Sequence, residues 1–221
     1  VRKLTHKYLK DPVHVAVPAP TVTLKDIEQF MVETTDRQKR HDLFAVLKKE
    51  RPFMGILFCR TKYRADALFA AMSQEGFSCE LLHGDLTQAK REKVMKAFRK
   101  MELQFLIATD VAARGLDIEG ITHVFNYDIP ADAESYIHRI GRTGRAGAKG
   151  RAFTFVAPKD KPEQRIIEDG IQLRLTHYNF DRPVVKHNPQ EPKAQPLESK
   201  SARRQQNIAK NRLRAKANRR A

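Results

Sequence analysis

Cysteine is almost missing from these 221 residues: Cys59 and Cys79 are the only two. Both sit inside apolar runs, which excludes a disulfide scaffold and a four-cysteine zinc site. Aromatic residues make up 8% of the chain, and no aromatic pair is arranged as a base-stacking platform of the RRM kind. No apolar run approaches the roughly 18 residues of a membrane-spanning helix, and no charged-then-apolar leader opens the chain. Opening on Val1 rather than Met, the sequence is expected to be a piece of a longer protein. Together these absences lead to the expectation of a soluble, cytoplasmic protein with no membrane partner. Its length suffices to bury one good core without covalent staples.

What is abundant is positive charge, 42 Lys and Arg against 26 Asp and Glu, and it is unevenly spread. Between Lys186 and Ala221 lie eleven basic residues and two Glu, a net +9 over 36 residues, while the preceding 185 carry +7. That final stretch has no aromatic residue, and Leu197, Ile208 and Leu213 are its only large aliphatics. It cannot bury enough apolar area to offset its ordering entropy, so a disordered basic tail is expected. Charge of this density suits a polyanion, nucleic acid ahead of a membrane surface, and an electrostatic tether for RNA is the expected role. The plainer alternative is a solubilising tail.

Ahead of the tail the pattern alternates. Leu43, Phe44, Val46 and Leu47 predict a helix from about Asp36 to Pro52. Gly55–Cys59 (GILFC) reads as a buried strand, and Ala65, Leu68, Phe69 and Met72 as a helix stopped by Gly76. Further strands are expected at Cys79–Leu82, Phe105–Ala108, His123–Tyr127 and Ala152–Val156. Helices are expected from about Gln88 and Ala133, and a closing helix from Ile166, Ile167, Ile171 and Leu175. Met54, Phe58, Phe98 and Phe125 are read as core. Short, wholly apolar strands between helices mean a parallel sheet covered on both faces, whose ligands collect at the carboxyl ends of the strands. Polar residues and glycine cluster there: Arg60-Thr61-Lys62, His83-Gly84-Asp85 and Thr109-Asp110. Turn chemistry explains any one of these but poorly explains all three.

Four segments carry a resemblance. GILFCRTK (55–62), HGDLTQAKRE (83–92), ATDVAARGLD (108–117) and HRIGRTGR (138–145) resemble motifs IV, IVa, V and VI of DEAD-box RNA helicases, in that family's order. The resemblance runs from Thr21 to Leu175, and YLKDPVHV (8–15) resembles the end of the first helicase domain. It implies three parts: residues 1–20 as the end of a first RecA-like domain and linker, 21–175 as the second RecA-like α/β domain, and 176–221 as a disordered basic tail. GxxxxGK[ST], Asp-Glu-Ala-Asp and Ser-Ala-Thr are absent from the chain. In the family these lie in the first domain and hold ATP and Mg²⁺, so this chain alone is expected not to turn over ATP.

The resemblance also assigns residues. Arg142 and Arg145 are implied as catalytic and nucleotide-contacting, with Arg145 favoured as the arginine finger. Guanidinium suits that role because it donates paired, planar hydrogen bonds to γ-phosphate oxygens as the bond loosens. His138 and Arg139 fall late in a helix, and Gly141 and Gly144 are expected to let the chain break from it, so that both arginines project from a loop. A solvated basic turn is the alternative. Gly115 and Asp117 are implied at the nucleotide, Asp117 on its ribose. Arg60, Gly84, Gln88, Arg91 and Thr109 are implied RNA contacts, reaching phosphates and 2′-hydroxyls rather than base edges. Lys62 and Lys90 fit solvated surface equally well. His138 is implied as an interdomain contact, not a metal ligand, and no metal site is expected in this chain. For Asp110 and Arg114 an internal ion pair and a first-domain contact both stand open.

The expected function is the C-terminal half of an ATP-dependent RNA helicase that locally separates duplexes. Its expected partners are RNA, the first RecA-like domain and ribosomal particles. The competing classes are a stand-alone RNA-binding or regulatory fragment and a DNA helicase of the same superfamily.

Overall fold

The computed structural model describes residues 24–113, 118–145 and 147–181. The basic tail from Lys186, the segment through residue 23, and the site candidates Arg114, Gly115 and Asp117 lie outside the described residues. In chain order the described part runs β1 (Ile27–Glu33), α1 (Lys39–Glu50), β2 (Gly55–Cys59), α2 (Lys62–Gln74), β3 (Cys79–Leu82) and α3 (Gln88–Arg99). It continues with β4 (Phe105–Thr109), the single turn α4 (Asp110–Ala113), β5 (His123–Asn126), α5 (Ala133–Ile140), β6 (Gly150–Val156), α6 (Lys161–Ile171) and β7 (Thr176–His177). All seven strands join one sheet in the order β3-β4-β2-β5-β6-β1-β7, and every pairing in it is parallel. This is the α/β architecture that the short apolar strands imply.

Alternation along each strand divides the core into two layers. Ile56 and Phe58 of β2 and Leu106 and Ala108 of β4 face Val94, Phe98, Tyr136, Ile140 and Ile167, which belong to α3, α5 and α6. Leu57 and Cys59, with Phe105 and Ile107, face Leu43, Val46, Leu47, Ala65 and Leu68 of α1 and α2. Both faces of the central strands are dry, and β2 and β4 are buried at every position.

Three helices start from side-chain caps. Thr61 accepts the Arg64 N–H at 3.2 Å, Thr87 accepts the Lys90 N–H at 3.3 Å, and Asp132 accepts the Ser135 N–H at 2.7 Å. Capping thereby fixes where the loops leaving β2 and β3 end and the helices begin.

Several expectations shift. Strand β1 has no counterpart in the sequence reading, because Glu28, Gln29 and Glu33 interrupt its apolar residues. The helix expected from Asp36 starts at Lys39; Thr35 first makes a turn, accepting the Gln38 and Lys39 N–H groups on its carbonyl. Of the four residues that suggested a closing helix, Ile166 lies on it but is exposed, and Leu175 lies beyond its end at Ile171. Thr176–Asp181, expected to begin the tail, are ordered instead: β7 pairs with β1, and the Tyr178 ring stands edge-on to Phe153 at 5.0 Å.

Tyr178 is also tied through Glu50, a half-buried residue that accepts its hydroxyl and an Arg151 guanidinium. Beside them the His123 ring stacks on Phe125 and Phe153, at 5.9 and 6.0 Å. Burial pushes the His123 pKa down to about 4 from 6.5. The Glu50 carboxylate, 3.6 Å from Nε2, would favour the imidazolium, but it is already engaged by Arg151 and Tyr178, so desolvation prevails. The unfolded chain therefore takes up a proton before the folded one. Stability from this group is full above about pH 6.5, drains as pH falls towards 4, and amounts to about 3 kcal/mol from 1.36 kcal/mol per pKa unit. His123→Phe, which keeps the stack, should shrink the stability difference between about pH 7 and pH 4.5 by about 2 kcal/mol in urea unfolding.

Candidate nucleotide and RNA face

Arg60, Gly84, Thr109 and Asp110 collect at the carboxyl edge of the sheet, where β2, β3 and β4 end, with Gln88 and Arg91 on the helix that follows β3. Arg142 and Arg145 lie beyond α5, on a turn packed against the amino ends of β1, β5 and β6. Cys59 at the end of β2 is in register with Thr109 at the end of β4. Arg60 and Asp110 thus leave adjacent strands side by side. Thr109 is buried at its strand end, whereas Arg60 is exposed. The Arg60 guanidinium donates to the Ile129 carbonyl at 3.2 Å, so the loop after β5 holds it across the rim.

At the neighbouring strand end, His83 Nδ1 accepts the Asp85 N–H at 3.3 Å and Nε2 lies 3.2 Å from Asp66 of α2. Asp85 in turn pairs with Lys62. Gly84 is exposed between them, and a Cβ there would meet only the flexible end of Lys62. Its role is open backbone, not an unusual dihedral. Gln88 and Arg91 occupy the first turn of α3. The Gln88 amide donates to Glu92 at 2.8 Å, while Arg91 reaches the Ala112 carbonyl at 2.7 Å. Arg91 therefore braces the turn that follows Thr109, beside any contact it makes with a ligand.

Arg139 is the residue whose importance the sequence understated. It is 3% exposed and clamps Asp110 through two bonds of 2.6 and 2.7 Å. Its NH1 donates to the Asp128 carbonyl at 2.6 Å, and its guanidinium lies 5.1 Å from the Phe58 ring centroid. One buried fork thus joins β2, β4, β5 and α5. Of the two roles left open for Asp110, the internal ion pair is formed.

Arg142 and Arg145 leave the turn beyond α5, which is pinned at its centre. The Thr143 hydroxyl donates to the Ile121 carbonyl at 2.6 Å. Gly144 holds φ +67°, and a Cβ would lie 2.7 Å from Ile27 Cγ1, so glycine is required there. Gly141, expected to share that task, has an ordinary φ of −65°; the break comes three residues later. Arg142 Nε donates to the His138 carbonyl at 3.2 Å and Arg145 Nε to the Gly141 carbonyl at 2.8 Å. Each stem is steered by the helix end it has just left, with the His138 side chain exposed alongside.

Asp128 and Arg64 were not singled out from sequence. Asp128 is buried, accepts the Arg60 N–H at 3.0 Å, and takes Arg64 Nε and NH2 at 2.6 and 2.5 Å. The available signal was its place just past a strand end, the same signal that marked Arg60 and Thr109. Cavities of about 310 to 440 Å³ occur beside α6, the C-terminal segment and α3. None of these three is lined by Arg60, Thr109, Arg142 or Arg145.

Residues 38–147 match the model of the helicase conserved C-terminal domain. The chain is 46% identical over 182 residues to the DEAD-box ATP-dependent RNA helicase CshA of Bacillus cereus, covering 82% of this chain and 34% of that protein. It thus spans about a third of the length of the curated relatives it matches. Among solved structures, E. coli DEAD-box protein SrmB bound to regulator of ribonuclease activity A is 34% identical with a TM-score of 0.67, covering 73% of this chain and 97% of that one. S. cerevisiae Dbp5 bound to RNA and ADP BeF3 is 31% identical with a TM-score of 0.67, covering 80% and 48%.

The buried fork has a measurable consequence. Asp110→Ala leaves the Arg139 charge buried with only neutral partners, and breaking such pairs costs about 3 to 5 kcal/mol when both partners are dry. With the Asp110 side chain 40% exposed, screening trims the loss to about 2 kcal/mol. Denaturant titration of parent and variant should show it.

Proposed function

This chain belongs to the DEAD-box family of RNA helicases, and we propose that it supplies the second half of an ATP hydrolysis site together with part of an RNA track. The pinned turn carries the reading: Thr143 and Gly144 hold Arg142 and Arg145 on a rigid base at the rim of the sheet. Hydrolysis of ATP moves charge onto the γ-phosphate oxygens, and preorganised guanidinium groups stabilise that charge without reorganising. In this reading Arg145 is the finger and Arg142 its neighbour on the phosphate chain. Asp117 holds the nucleotide ribose, Gly115 lets the protein main chain approach closely, and His138 meets the first domain. ATP and Mg²⁺ are held mainly by that first domain, whose phosphate loop and DEAD sequence this chain lacks. Two half-buried guanidinium groups, always cationic and rich in donors, are chemically suited to the anionic end of the nucleotide rather than to the metal.

Arg60, Gly84, Gln88, Arg91 and Thr109 form the RNA side, where donors from strand ends and a helix start suit phosphate and 2′-hydroxyl groups. Binding of this kind tolerates sequence. ATP and RNA together draw the two RecA-like domains closed, bend one strand and expel the other; hydrolysis then releases the product. The basic tail adds diffuse, salt-sensitive attraction.

The assignment is tested in two arms. Residues 1–221 alone should show no ATP hydrolysis above background, with or without RNA; RNA-stimulated turnover by this chain would remove the half-site reading. In the full-length protein, Arg145→Lys keeps the charge and loses the fork, and should lower kcat by about 10³-fold. Unchanged turnover there would move the finger to Arg142.

A further inference from the structure

We propose that Asp128 is a positioning residue for RNA, acting through Arg60; the inference rests on the reading of Arg60 as an RNA contact. Arg60 is the first residue beyond β2, outside the strand ladder, on a long and exposed side chain. Left to itself such a side chain samples many rotamers, and ordering it on binding costs a ligand up to about tenfold in affinity. The structure ties it at both ends to consecutive residues. The Asp128 carboxylate accepts its backbone N–H at 3.0 Å, and the Ile129 carbonyl accepts its NH2 at 3.2 Å.

Asp128 is itself held hard. Arg64, one turn into α2, grips both carboxylate oxygens at 2.6 and 2.5 Å while its guanidinium stands 5.5 Å from the Tyr127 ring centroid. The Lys39 ammonium lies behind at 3.9 Å and is shared with Asp160 at 3.5 Å. The carboxylate therefore has two cations and one main-chain donor around it. Charge balance explains the cations; the bond to the Arg60 N–H is the one directed at the rim. The Asp128 main-chain carbonyl meanwhile anchors Arg139, so the turn that aims Arg60 cannot drift. A fixed Arg60 meets a phosphate with its ordering already done.

The test is a double-mutant cycle on the whole 221-residue chain, reading the Kd of a fluorescent single-stranded oligouridylate at fixed salt. Asp128→Asn puts an NH2 group against the Arg64 guanidinium and leaves one oxygen for Arg64 and the Arg60 N–H to compete for. The hold on Arg60 loosens, and binding should weaken by about tenfold, the cost of freeing one long side chain. Arg60→Ala should weaken it at least as much. The double variant should bind no more weakly than Arg60→Ala alone, because Asp128 has nothing left to position. Losses that multiply would mean that Asp128 acts on the fold at large, and would overturn the proposal while leaving the RNA face intact. Parental affinity in Arg60→Ala would overturn the RNA role of Arg60 and the proposal with it. Parental affinity in Asp128→Asn overturns the proposal alone. Should Asp128→Asn fail to fold, Asp128→Glu keeps the charge beside Arg64 and Lys39 but moves the carboxylate off the Arg60 N–H. The same cycle then applies, with the same deciding outcomes.

Discussion

The Arg139 guanidinium, buried and forked onto Asp110, is the contact on which the working edge of this molecule depends. A charge so placed survives only if its hydrogens are satisfied. Here Asp110 takes two bonds and the Asp128 carbonyl a third, with the Phe58 ring stacked beneath. Because Asp110 and Asp128 follow the ends of β4 and β5 and Phe58 lies in β2 between them, satisfying one side chain fixes how three adjacent strands end. Arg142 and Arg145 follow directly on the same helix, so the turn proposed to face the nucleotide inherits that geometry.

The loops around this centre place folding contacts in the same few residues for which ligand contacts are proposed. Thr61 and Thr87 sit inside the motif segments and cap helices; Arg91 supports the turn after Thr109. Such economy follows from the fold class. Strand ends in a parallel sheet leave backbone groups unpaired, helices begin a few residues later, and both demands fall on the same polar side chains. A mutation there perturbs packing whatever it does to a ligand, which is why double-mutant cycles separate the roles better than single replacements.

At the opposite end of the sheet order, the aromatic cluster of Phe30, Phe153 and Tyr178 closes the domain. Glu50 and Arg151 add a charged clasp at its margin. This cluster holds the chain that carries β7 against the sheet.

Sequence by itself determined the α/β class, the central strands β2 to β6 and the four motif segments. Wholly apolar runs bounded by helices have few other solutions, and glycine and arginine spacing is chemistry that does not need coordinates. It also marked the strand ends as the place for ligands. Tertiary structure alone decided the rest. Strand β1 is half polar and becomes a strand because β6 and β7 pair with it; β7 is two exposed residues with no periodicity to read. The partner of Asp110, the task of Gly144 rather than Gly141, and the hold of Asp128 on Arg60 all join residues distant in sequence. A carboxylate's partner is whichever donor the fold brings within about 3 Å, and only packing sets that distance.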